Sequence, residues 1–120
     1  MSSHEIDELY ARVAASPAEL GPRLVLADAL QLAGDPRGEL IALQLAIAEG
    51  IADAKARSRA AVLAKRHLAE WTAALPDVVH AELERGFLSV VHTDARGDAL
   101  DRSLALPEWA TVERLELVAH

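Results

Sequence analysis

The sequence predicts an α+β protein in which a module of about four helices precedes two or three short β-strands. Over the first part of the chain, apolar residues recur at helical spacing between residues that cap helices. After Pro76 the pattern changes, because segments 78–84 and 87–93 are short, rich in β-branched residues and separated by Arg85-Gly86. A last segment, 111–118, alternates apolar and charged residues as a half-buried strand does. We expect a helical unit over 1–76 and a strand unit over 77–120, joined in one continuous domain.

The first two helices are predicted from their caps. Ser2 and Glu5 have the spacing of a capping box, and the apolar residues that follow extend a first helix. Ser16-Pro17 repeats such a start and predicts another helical turn. Gly21-Pro22 is expected to interrupt this turn, after which a broad apolar face predicts that the helix resumes.

The third predicted helix is the expected centre of the core. Asp35-Pro36 supplies an N-cap and a first helical residue, and the helix that follows is apolar on almost every side until Gly50. A longer, Ala-rich helix over 52–75 has a sparse apolar stripe, on which Trp71 is expected to anchor the core. Its basic residues predict a solvated face, since no Tyr or Phe lies nearby to stack on bases.

Composition limits the classes of function. The 120 residues suffice for one core, which must be aliphatic because 52% of the residues are hydrophobic and only 3% are aromatic. A formal net charge of −7 argues against nucleic-acid binding. The absence of cysteine excludes disulfides, thiolate nucleophiles and cysteine zinc sites. The N-terminal sequence does not resemble a secretory signal and no apolar run reaches ~20 residues, so we expect a cytoplasmic protein that does not enter a membrane.

The sequence contains no catalytic, cofactor-binding or metal-binding pattern. The five histidines include no pair at helical ligand spacing. A regular hairpin would set His80 opposite Val91 and His92 opposite Val79, with the two imidazoles on opposite faces of the sheet. The acidic loop over 94–98 lacks the spacing of a calcium loop, and no glycine-rich phosphate loop occurs. We therefore expect a protein that is not an enzyme and has no cofactor or metal.

One motif concentrates charged residues where the second predicted helix gives way to the third. Asp35 is the expected N-cap there, because its carboxylate can accept the free N–H groups of the helix start. Arg37 is expected to pair with Asp28 or Glu39 and so to fix the angle between the helices. This structural role is preferred to ligand recognition.

Segments 22–30 and 34–44 resemble the repeat-companion domain, a short helical module that precedes leucine-rich repeats or similar arrays in bacterial proteins. That family usually carries an aromatic residue at the position of Leu26 and a tryptophan at the position of Ala29, so any role of those aromatics does not transfer to this chain. The motif residues in this sequence are Asp28, Gly34, Asp35, Pro36, Arg37, Gly38 and Glu39.

The end of the chain is similar to a leucine-rich repeat. Trp109, Val112, Leu115, Leu117 and His120 fit the spacing L-x-x-L-x-x-L-x-L-x-x-N, with His in the place of Asn. Each unit of such an array buries its apolar face only against its neighbours, so the first unit needs a polar-backed cap. The resemblance implies that the helices are this cap.

The expected function is non-enzymatic protein–protein interaction, with another protein bound at the edge or face of the last strand. Two further hypotheses remain open: a homo-oligomeric scaffold that self-associates through this strand, and a small enzyme whose site has no sequence signature. Trp109 is expected either to pack on the hairpin or to present an exposed contact. The candidate surface residues are Glu82, Glu84, Trp109, Glu113 and Glu116.

Overall fold

Helices and strands follow one another as the sequence predicts, which confirms the α+β class. A computed structural model describes residues 2–118 and contains five α-helices, one 3₁₀-helix and three strands. The elements in chain order are α1 (Ser3–Ala15), α2 (Leu20–Leu32), α3 (Pro36–Ala48), α4 (Ala54–Trp71), β1 (Val78–Glu84), β2 (Phe87–Thr93), α5 (Gly97–Ser103), the 3₁₀-helix (Pro107–Thr111) and β3 (Arg114–Leu117).

The predicted caps of α1 and α3 are confirmed, whereas the predicted interruption of the second helix is wrong. The Ser2 hydroxyl accepts a hydrogen bond from the Glu5 amide at 3.2 Å, and the Asp35 carboxylate accepts one from the Arg37 amide at 2.9 Å. Gly21-Pro22 lies inside α2, which begins at Leu20, and Ser16-Pro17 belongs to the preceding turn. Proline is tolerated there because amides of the first helical turn have no carbonyl partner within the helix.

The packing of α3 against α2 depends on Gly38. A Cβ atom added at this position would lie 2.6 Å from the Gln31 amide nitrogen and 2.8 Å from the Ala27 carbonyl oxygen. Both atoms belong to the backbone of α2, so they cannot move aside as a flexible side chain would. The second glycine of the charged motif therefore sets the distance between two helices.

We expect Gly38→Ala to lower the free energy of unfolding by about 1–3 kcal/mol, because overpacking outweighs the better helix propensity of alanine. Gly21→Ala is the matched control, since a Cβ atom there meets nothing within 4 Å. Urea denaturation followed by circular dichroism measures both changes. Equal stabilities of the two variants would contradict the close packing at Gly38.

The β1–β2 hairpin turns through Arg85-Gly86, with φ of +50° and +84°. Positive φ at both central residues is what a type I′ turn requires. The ladder is irregular beyond the turn: Leu83 pairs with Leu88 but Glu82 pairs with Val90, so Ser89 is an extra residue in β2. The Ser89 hydroxyl donates to the Glu82 carbonyl oxygen at 3.2 Å and holds this bulge in place.

The bulge overturns the predicted placement of the hairpin histidines. His80 pairs with His92 rather than with Val91, and their ring centroids lie 5.1 Å apart. The two imidazoles therefore lie on the same face of the sheet. The expectation of opposite faces assumed a regular ladder, and one inserted residue reverses which side every later residue faces.

Strand β3 joins the sheet parallel to β2, giving the order β1-β2-β3. The chain reaches it by a crossover through α5 and the 3₁₀-helix. The Thr111 hydroxyl donates to the Leu88 carbonyl oxygen at 2.8 Å, and the Glu113 amide donates to the Ser89 carbonyl oxygen at 2.8 Å. The Arg96 guanidinium donates to the Val118 carbonyl oxygen and ties the far end of the strand to the start of the crossover.

The helices and the sheet share their hydrophobic cores. Phe87 of β2 is buried in a cluster with residues of α1, α2 and α3. Leu83 of β1 packs both on the cluster between α3 and α4 and on the cluster beneath the sheet. Trp71 packs on the first of these, as expected for a core anchor. In the described part of the chain, no helix has the length and apolar character to cross a membrane.

Candidate functional site

The charged motif lies where the helices meet the turn of the hairpin. Arg37 is in the first turn of α3, and its Nε donates to the Gly86 carbonyl oxygen at 3.2 Å. Its guanidinium also lies over three aromatic rings, at 5.8 Å from the centroid of Tyr10, 5.1 Å from Trp71 and 5.0 Å from Phe87. Burial among these rings lowers the pKa of Arg37. Arg37 thus connects α3 to the hairpin, α1 and α4.

The predicted partners of Arg37 are wrong. Glu39 instead forms a bidentate pair with Arg59 of α4, at 2.8 and 3.0 Å, and this hydrogen bonding lowers the pKa of Glu39. Asp28 is exposed on α2. Residues two apart on a helix point in nearly opposite directions, so Arg37 and Glu39 face different neighbours. The motif thus joins α3 to the hairpin through Arg37 and to α4 through Glu39.

Two residues that the sequence did not single out complete the contact with the turn. Arg23 of α2 is only 2% exposed and donates to the carbonyl oxygens of Glu84 (3.4 Å), Arg85 (3.0 Å) and Pro17 (2.6 Å). The Gln44 side-chain oxygen of α3 accepts from the Gly86 amide at 2.7 Å. Burial lowers the pKa of Arg23. We call Arg23, Arg37 and Gln44 the hairpin clamp.

Phe87 is the centre of the clamp. The guanidinium carbons of Arg23 and Arg37 each lie 5.0 Å from its ring centroid, which is cation–π distance. A sequence signal for Arg23 exists, because this residue lies on the same helical stripe as the buried Leu26 and Leu30. A charged residue within an apolar stripe indicates a buried charge with a specific partner.

Two of the predicted surface residues lie on one solvent-facing side of the sheet. Glu82 is 3.6 Å from His80, and Glu116 is 3.0 Å from His92. Arg114 is 3.3 Å from Glu116 and extends the same row. We call His80, Glu82, His92, Arg114 and Glu116 the polar sheet face. The side chains of Glu82 and Glu116 are about half exposed, so their carboxylates remain accessible to a partner.

The other predicted surface residues lie elsewhere. Glu84 and Glu113 are exposed at the turn end of the sheet, where both attract the guanidinium of Arg23. Trp109 is half-buried beneath the sheet, and its indole N–H donates to the Ser103 hydroxyl at 3.2 Å. The structure therefore supports the packed alternative for Trp109. His120, the expected equivalent of the repeat asparagine, lies outside the described residues.

The opposite side of β3 continues the apolar face of the sheet into solvent. Leu115 and Leu117 pair with Val91 and Thr93 of β2, which are both fully buried. The two leucines themselves are 37% and 49% exposed. On this side of the sheet, the helices and the crossover cover β1 and β2 but leave β3 partly exposed.

Within residues 2–118, no group of three or more His, Asp or Glu side chains is placed to hold a metal ion. Comparison of the chain with models of protein families, with curated proteins and with solved structures finds no match.

Proposed function

We propose that this chain is a non-enzymatic capping and interaction module whose β3 edge binds a strand of a leucine-rich-repeat-type unit. The observation that carries the proposal is the incomplete burial of Leu115 and Leu117 on the core side of the sheet. Inward-facing leucines of a strand are normally covered on both sides in a repeat array, because each unit buries its apolar face against the next. A neighbouring unit would cover these two side chains.

The direction of β3 supports the same partner. A parallel pair needs a crossover between its strands, and in this chain the crossover from β2 to β3 passes through α5 and the 3₁₀-helix. Repetition of this crossover would add a further parallel strand beside β3. Within residues 2–118, β3 pairs only with β2, so its other edge offers free amide and carbonyl groups.

The helical part acts as the cap in this proposal. The hairpin clamp joins α2 and α3 to the turn between β1 and β2, and Phe87 is buried among the helices. A solenoid whose first strands are held in this way is closed at one end. The polar sheet face would contribute to the surface that other proteins contact. We also assign the protein to the cytoplasm, since its core is held without disulfides, on which small secreted domains often depend.

A fusion tests the proposal. A consensus leucine-rich-repeat array joined after His120 is expected to unfold together with the module in one cooperative transition. Replacing Leu115 and Leu117 by lysine should weaken the coupling by about 1–3 kcal/mol, because the remaining apolar surface of two leucines is no longer buried. Calorimetry of the fusion should then show two separate transitions.

Leu32→Lys in the same fusion is the matched control, because Leu32 is 90% exposed and lies on α2 away from the edge. This variant should keep the single transition. Two transitions in the unsubstituted fusion, or the same effect from Leu32→Lys, would contradict the proposal.

Self-association is the second candidate function, and it is favoured by the same open edge. All four residues of β3 are exposed, and an exposed edge strand can pair with a second copy of itself. Light scattering of the isolated chain over a range of concentrations distinguishes the two hypotheses. A mass that rises with concentration in the native chain, and stays monomeric in the double lysine variant, would favour the scaffold.

A further inference from the structure

A cavity of about 560 Å³ opens beside the hairpin clamp. It lies between α1, the start of α3, the end of α4, the start of β2 and the 3₁₀-helix, and none of its lining residues belongs to β3. Its volume is that of a small-molecule site, and Tyr10, Trp71 and Phe87 form its aromatic walls. Such walls favour apolar groups, and the guanidinium of Arg37 already lies over the faces of all three rings.

The charges that line the cavity are mostly negative. Asp7, Asp35, Glu70 and Glu108 contribute carboxylates, while Arg37 contributes the one guanidinium. Asp35, Glu108 and Glu70 all attract the guanidinium of Arg37, but none of them forms an ion pair with it within 4.0 Å in the described part of the chain. The four carboxylates thus carry more negative charge than Arg37 can neutralise. This excess of negative charge would repel an anionic ligand and attract a cationic one.

Glu108 supplies a more specific indication. Its Oε2 atom is shielded from solvent and has no hydrogen-bond partner among residues 2–118. A carboxylate oxygen only accepts hydrogen bonds, and an unsatisfied acceptor of this kind costs free energy until a donor reaches it. Glu108 lines the cavity, so a donor bound there lies within reach of its carboxylate group. A hydrogen-bond donor bound in the cavity would satisfy this oxygen.

We propose that this cavity binds a guanidinium or ammonium group carried on an apolar stem. The cation would donate to Glu108, with Glu70 nearby on α4, and the stem would lie against Trp71 and Tyr10. Arginine and lysine side chains of a protein have this chemistry, and so do free alkyl amines and guanidines. The cavity is separate from the β3 edge, so the cation-binding proposal can be tested independently of the proposed function.

Calorimetric titration of the whole chain at low salt tests the proposal with three probes. 1-Butylguanidine represents a free cation, capped arginine methylamide represents a protein side chain, and butyrate represents an anion of similar size. Both cations are expected to bind more tightly than butyrate. Backbone amide shifts in the NMR spectrum should change around Tyr10 and Trp71 and remain constant in β3.

Glu108→Gln keeps the shape of the side chain and removes its charge, and it should weaken cation binding about tenfold, as expected for the loss of one charge-assisted hydrogen bond. Glu82→Gln on the polar sheet face is the control, since it changes the net charge equally outside the cavity. Binding of the arginine derivative as tightly as butylguanidine would identify a protein side chain as the source, and preference for butylguanidine would identify a free cation. Tighter binding of butyrate, no binding of either cation, or equal effects of the two Gln variants would overturn the proposal.

Discussion

Gly86→Ala is expected to abolish cooperative folding or to lower the free energy of unfolding by at least about 4 kcal/mol. Gly86 has φ of +84°, where a side chain is strained, and a Cβ atom there would lie 2.3 Å from Cγ1 and 2.7 Å from Cα of Ile41. Ile41 is completely buried in the helical core, so it has no space into which to move. The turn would have to leave the clamp, which also exposes Phe87.

Gly50→Ala separates the effect of backbone strain from the effect of the steric collision with Ile41. Gly50 has φ of +76° and open space around it, so its substitution carries the backbone strain without the collision and should cost only about 1 kcal/mol. Urea denaturation of both variants gives the difference. If Gly86→Ala costs no more than Gly50→Ala, the close approach of the turn to α3 is not a determinant of the fold.

Arg23→Ala is expected to lower the free energy of unfolding by about 2–4 kcal/mol. The substitution removes the donor for three carbonyl oxygens, those of Pro17, Glu84 and Arg85, and leaves a space beside Phe87. Arg23→Met fills most of that space without restoring the donors. Its stability should therefore lie between those of the native chain and of Arg23→Ala.

Arg57→Ala is the matched control for the loss of an arginine, because Arg57 is exposed on α4 and should change stability by less than about 0.5 kcal/mol. Thermal and urea unfolding of the three variants rank these effects. Equal losses of stability in Arg23→Ala and Arg57→Ala would show that water satisfies the carbonyl oxygens of the turn as well as the Arg23 guanidinium does.

Local signals in the sequence predict most of the fold. Ser2 and Asp35 cap helices because their side chains reach amides two or three residues away, which is a relation that spacing alone reveals. The Arg85-Gly86 turn is likewise local. The sequence is misleading at Gly21-Pro22, where residues that break helices in the interior fit within a first turn.

Long-range contacts account for what the sequence does not predict. The bonds from Arg23 and Gln44 to the turn join residues 42–62 positions apart, and no short pattern encodes them. The bulge at Ser89 depends on the main chains of Glu82, which lies on β1, and of Glu113, which immediately precedes β3. The candidate surface is therefore only partly predictable: the sequence identifies Glu82 and Glu116, but a regular ladder would place His80 and His92 on opposite faces.

The hairpin clamp also has a consequence for the order of folding during synthesis. Arg37 leaves the ribosome 49 residues before Gly86, the residue whose carbonyl it binds. At ~5–20 residues per second this interval is roughly 2–10 s, whereas helices form within about a microsecond. Until the hairpin arrives, Arg23 and Arg37 stay hydrated, and the apolar residues of α1, α2 and α3 that bury Phe87 stay uncovered. Chaperones that recognise exposed aliphatic surface have their best opportunity to bind this chain in that interval.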